Sequence, residues 1–115
     1  MKRPYILKTL SSNKNQHITK LLQRCKNGEE SAQFEIYKLY YKAMYNTSLR
    51  ILNDSFEAED VMQESFLAAF TKLHTFSKTV TFGAWLKRIV INTAITKYRE
   101  SKHLYFNEEI LPCGD

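Results

Sequence analysis

The chain has 115 residues, 43% hydrophobic and 25% charged, with a formal net charge of +5. That length allows one small domain, or one domain with a tail, around a single modest core. Only 3 Gly and 2 Pro argue against a many-stranded sandwich or barrel and favour helices.

In chain order, residues 1–14 read as a flexible basic arm carrying Lys2, Arg3, Lys8 and Lys14 and no acid. A first short helix is expected over about 15–26, with Ile18, Leu21, Leu22 and Cys25 on one side. It should stop at Asn27-Gly28, a helix-ending pair. A second helix is expected over about 30–53. There Phe34, Tyr37, Tyr41, Met44, Ser48 and Ile51 recur at gaps of three and four, the rhythm of one buried stripe. Its aromatics, Phe34, Tyr37, Tyr40, Tyr41 and Tyr45, read as core or near-core.

The third helix begins after Asn53-Asp54-Ser55, inside "LNDSFEAEDVMQESFLAAF". This stretch holds Asp54, Glu57, Glu59, Asp60 and Glu64 and no basic residue. Unopposed carboxylates in a basic chain have four readings: catalysis, metal binding, a solvated helix face, or a dock for another protein. Asp54 with Glu57 three residues on has capping-box spacing, and early carboxylates suit the positive end of the helix dipole. On a wheel of about 100° per residue, Ala58, Val61, Met62, Ser65, Phe66, Ala69, Phe70 and Leu73 cover a broad packing arc. Glu57, Asp60, Gln63, Glu64 and Leu67 gather opposite. Leu67 is a contact candidate, being apolar within a polar stripe, although single exposed leucines are common.

Residues 74–80, "HTFSKTV", read as a polar loop. The fourth helix is expected over about 81–101, capped by Thr81, with Phe82, Leu86, Ile89, Val90 and Thr93 on its core side. Trp85, Arg88, Asn92, Thr96 and Arg99 fall within a stripe roughly 80° wide. Such a face suits phosphates and base edges. Trp85 also reads as a core anchor. Residues 102–115 read as a linker or frayed tail. Over 71–103, Lys72, Lys78, Lys87, Arg88, Lys97, Arg99 and Lys102 stand against Glu100 alone. Charge segregated in this way suits two partners, one a polyanion and one basic or polar, or else it marks solvated faces.

Several classes fall away. Cys25 and Cys113 form no CxxC pair, and His17, His74 and His103 are scattered, so no metal site is expected. No apolar run approaches the roughly 20 residues that span a bilayer, and "PYILKTL" is too polar for a signal segment. The expected compartment is the cytoplasm, without membrane insertion. There is no GxSxG, P-loop, Rossmann glycine pattern or DxDxDG loop. A solvent-facing carboxylate stripe offers no pocket for acid–base chemistry, so neither an enzyme nor a cofactor is expected.

Two segments, "AEDVMQESFLAAF" and "TFGAWLKRIVINTAI", carry a resemblance. In order and separation they resemble region 2 of bacterial RNA polymerase sigma factors of the extracytoplasmic function (ECF) class, group IV of the sigma-70 family. The similarity covers about residues 29–101. It implies an all-α fold, a compact bundle of three long helices plus a short N-terminal one, over 15–101. It also implies docking on the clamp helices of the polymerase β′ subunit, with recognition and melting of the promoter minus-ten element by capture of a non-template base. By position, Asp60, Gln63 and Glu64 match the family's docking residues, with Leu67 beside them. Arg88 and Asn92 match its recognition helix, and Trp85 lies at that helix's start. Phe76, Ser77 and Lys78, on to Val80, match the base-cradling loop. Lys78, Lys87, Lys97 and Arg99 would attract phosphate, with Thr96 on the same face.

The chain departs from the family pattern at His74 and Thr75, where many members have Asp or Arg, and at Ser77-Lys78, where Arg-Gly is common. The base preference of the loop is therefore open. Residues 102–115 would lead toward region 4, a helix-turn-helix domain this chain does not contain, as in a fragment or a stand-alone region 2. An anti-sigma factor is a further partner the resemblance admits, with no residue here specifying one. The competing readings are a helical DNA-binding regulator and a protein-interaction domain, neither tied to polymerase.

Overall fold

The computed structural model describes the backbone of residues 16–114 and the side chains of residues 16–102. The basic arm expected over 1–14 lies outside the described residues. Four helices follow: α1 over 16–26, then α2 (Glu30–Leu52), α3 (Ser55–Thr71) and α4 (Phe82–Gly114). A single 3-10 turn, Leu73–Thr75, follows α3. No strand occurs among the described residues.

Each junction follows from local chemistry. Helix α1 ends in a Schellman turn, in which Glu29 N–H donates to Arg24 C=O and Gly28 N–H to Cys25 C=O, at 3.2 and 3.0 Å. Gly28 has φ +84, a left-handed conformation that glycine adopts without steric cost. The Arg24 guanidinium then reaches Glu29 Oε1 at 3.2 Å and Ser31 Oγ at 3.2 Å, tying α1 to the start of α2. Asn53 closes α2 at φ 54, its N–H donating to Leu49 C=O. The next residue opens α3: Asp54 Oδ1 accepts from Glu57 N–H at 2.9 Å, as the capping spacing predicts. Thr81 caps α4 in the same way, its Oγ1 accepting from Ala84 N–H at 3.2 Å.

The core lies where α2, α3 and α4 converge, with α1 packed on by Ile18, Leu21, Leu22 and Cys25. Ile36, Val61, Leu73, Leu86 and Val90 are fully buried. Ala32, Ala58, Ala69 and Ala94 are also sealed, and small side chains at such positions let neighbouring helices approach closely.

Three expectations are corrected. Phe34 is not in the core; it is 59% exposed, with Lys38 Nζ 4.9 Å above its ring. The buried line of α2 runs through Ala32, Ile36, Met44, Thr47 and Ser48. Position 34 lies about 200° from both 32 and 36 on a helical wheel, so it points away. The polar loop also carries a buried residue: Phe76 is only 9% exposed. Helix α4, expected to end near 101, continues as helical backbone to Gly114. No described helix is long and apolar enough to cross a membrane.

Candidate functional site

The outer face of α3 presents Asp60, Gln63, Glu64 and Leu67 to solvent, as the wheel predicts. Leu67 is 69% exposed. Gln63 Nε2 donates to Glu59 Oε1 at 3.4 Å. The sequence reading left out Phe56, one turn before Asp60 and 85% exposed. Its signal was available, because on the same wheel Phe56 falls only about 40° from Asp60.

At the other end of α3 the chain enters the loop before α4. Phe76 turns inward, its ring centroid 5.9 Å from Phe82 and 5.1 Å from Trp85. Trp85 also touches Phe82 at 5.8 Å and is half-buried, so it anchors this aromatic cluster while keeping one edge in solvent. Ser77 and Thr79 hydroxyls share a hydrogen bond of 3.0 Å across the loop tip. Between them Lys78 takes φ +63, a conformation that favours glycine. The departure from the family's Arg-Gly thus falls at a position whose backbone suits the glycine.

This loop forms one wall of a cleft of about 440 Å3. Ile18, Thr19 and Leu22 of α1 form another wall, and Tyr40 of α2 contributes a phenol. Reading helices singly gave no hint of these residues, since α1 meets the loop only in the folded bundle. Gly83 makes room for Tyr40: a Cβ there would lie 3.1 Å from Tyr40 Cε1. The tyrosine ring consequently packs edge-on against Phe82 at 5.4 Å. Burial pushes the Tyr40 phenol above its ordinary value, so it stays neutral and able to donate a hydrogen bond.

Along α4, Lys87, Arg88, Asn92, Thr96 and Arg99 are exposed on successive turns. Thr96 Oγ1 donates to the Asn92 carbonyl at 2.9 Å. That bond holds the hydroxyl against the helix. Lys97 behaves differently from the other cations. Its Nζ lies 3.6 Å from Asp60 Oδ2, and its side chain is only 31% exposed. A cleft of about 380 Å3 beside it is lined by Glu64, Asn92, Thr93, Thr96, Lys97 and Glu100. The acidic face of α3 and the polar face of α4 therefore share an edge. Among the described residues, no group of three His, Cys, Asp or Glu side chains is arranged to hold a metal ion.

The described helices thus form a bundle in which the acidic face of α3 abuts the polar, cationic face of α4, with a loop-walled cleft at one end. Residues 36–103 match the profile of Sigma-70 region 2, and the chain belongs to that family, which comprises transcription initiation factors and not enzymes. Its relatives are ECF sigma factors. It is 33% identical over 89 residues to the ECF RNA polymerase sigma factor SigW of Bacillus subtilis, covering 77% of this chain and 48% of that protein. It is 37% identical over 75 residues to the RNA polymerase sigma-H factor of Pseudomonas aeruginosa, covering 64% of this chain and 38% of the relative. The chain thus spans about half or less of these relatives. A solved structure, an engineered region 2 of sigmaE in complex with GTAAAA, superposes with a TM-score of 0.62 at 26% identity. That likeness covers 79% of this chain and 88% of the other.

Proposed function

We propose that this domain is the polymerase-docking and minus-ten-reading module of an ECF sigma factor, acting in the cytoplasm. The outer face of α3, with Asp60, Gln63, Glu64 and Leu67, docks on the clamp helices of the β′ subunit. Carboxylates and an amide on one exposed line suit arginine-bearing helices through charge-assisted hydrogen bonds. The face of α4 and the loop before it take the non-template strand. Lys87, Arg88 and Arg99 supply phosphate attraction, and Asn92 offers both a donor and an acceptor to a base edge.

One observation carries the nucleic-acid half of this reading. The cleft walled by Phe76, Lys78, Thr79, Tyr40 and Thr81 opens at the start of the cationic helix face, in a fold shared with a region 2 solved with GTAAAA. Capturing an unstacked base costs a few kcal/mol. A cleft offering aromatic rings beside hydroxyls and an ammonium offsets that cost by stacking and hydrogen bonding.

Two measurements test the proposal. Asp60→Lys with Glu64→Lys should abolish binding to core polymerase, and retained binding removes the docking assignment. Asn92→Ala should weaken binding to a single-stranded minus-ten oligonucleotide and relax its sequence preference. Equal affinity of the unmodified domain for every sequence would reduce α4 to a basic patch.

A further inference from the structure

The outer face of α3 carries more apolar surface than its polar stripe implies. Phe56 is 85% exposed and Leu67 is 69% exposed. They lie eleven positions apart, which is about three turns and ~16 Å of helix, within about 20° of the same azimuth. Asp60, Gln63 and Glu64 lie between. Around Phe56, the surface forms a shallow depression of about 410 Å3 lined by Glu57, Glu59, Asp60 and Gln63. An aromatic side chain ringed by polar groups has the anatomy of an interface hot spot, in which the rim excludes water and the ring supplies most of the affinity.

We infer that Phe56 is an apolar anchor of the docking face, pairing with Leu67 to bracket the carboxylates. This rests on the docking assigned to α3 above and extends it one turn toward the helix start. The occupant is a basic partner helix whose arginine or lysine side chains lie between two apolar ones roughly 16 Å apart along its axis. Charge complementarity selects it. Glu57, Glu59, Asp60 and Glu64 crowd this face, with Lys97 the cation in contact at its edge. A second copy of the same face would set carboxylate against carboxylate, which interfaces avoid.

The test measures binding of the whole chain to core polymerase for the unmodified protein, Phe56→Ala, Leu67→Ala and Asp60→Asn, across a salt series. Phe56 is 85% exposed, so Phe56→Ala should unfold at about the same temperature as the parent. Its affinity should fall roughly tenfold, by a factor that stays constant as salt rises. The Asp60→Asn effect should shrink with salt, because exposed charges are screened. If Phe56→Ala binds as the parent does while Asp60→Asn is weakened, the anchor is overturned and the docking stands. If the parent itself does not bind polymerase, both fall. If Phe56→Ala instead abolishes self-association of the free chain, the occupant is a second copy and the inference is overturned.

Discussion

Lys78→Gly separates the backbone role of the loop from its charge. Lys78 sits at φ +63, and the left-handed region costs an L-residue about 1–2 kcal/mol. Glycine enters that region freely but loses about 0.5–1 kcal/mol more chain entropy on folding. The balance favours the variant by about 0.5 kcal/mol. For a domain of this size, that raises Tm by about 2–4 °C. Binding should move the opposite way. One cation leaves the rim of the cleft, so the salt slope of single-strand binding should fall by about 0.7. Lys78→Ala is the control, since it removes the same charge and keeps the φ penalty. Thermal unfolding followed by circular dichroism reads the first effect. Fluorescence anisotropy with a minus-ten oligonucleotide over a salt series reads the second. A glycine variant no more stable than the alanine variant would refute the backbone argument. An unchanged salt slope in both would remove Lys78 from the phosphate track.

Ser48 is fully buried and its Oγ has no hydrogen-bond partner among the described residues. Ser48→Ala should therefore stabilise the domain by about 1 kcal/mol in urea titrations. Asp54→Ala deletes the cap that accepts from Glu57 N–H and should cost about 1 kcal/mol in the same assay, with Asp54→Asn recovering most of it. Burial raises both the Cys25 thiol and the Tyr40 phenol. Raised values in the folded state mean that their contribution is whole below the ordinary thiol range and is lost as pH rises through the raised values. Urea stability measured from neutral pH to about pH 10 should decline, less steeply in Cys25→Ala.

The junctions between successive helices were legible because punctuation residues set them, whereas the end of α4, expected near 101, was not. Asn27-Gly28, Asn53-Asp54 and Thr81 each mark a junction, and each makes the backbone or capping bond its chemistry predicts. The buried stripe of α2 was less legible. Counting large apolar residues favoured Phe34, but the packing surface selects Ala32 and Ile36, which are fully buried. Where three helices converge, closeness of approach decides what is buried, and a small side chain outweighs an aromatic one. Phe76 shows the reverse case. Four polar neighbours gave it a loop signature, yet the loop has to cross the end of the core, and its one aromatic ring covers that end against Phe82 and Trp85.

The site was legible one helix at a time, and no further. The wheel placed Asp60, Gln63, Glu64 and Leu67 on one exposed line, where the structure has them. It could not show that Lys97, counted with the phosphate-attracting cations, lies against Asp60. Charge along the chain separates an acidic third helix from a basic fourth, and that separation suggests two distant faces. Packing α3 on α4 brings residues 37 positions apart within ion-pair distance. The two proposed partner faces therefore share a border. A surface pair of this kind, with Asp60 exposed and Lys97 partly covered, contributes on the order of 1 kcal/mol or less, so a basic partner of the kind proposed at Asp60 would displace Lys97 at little cost. The amine released from Asp60 would remain in the cleft it shares with Asn92 and Thr96, where Glu64 and Glu100 are the carboxylates left beside it.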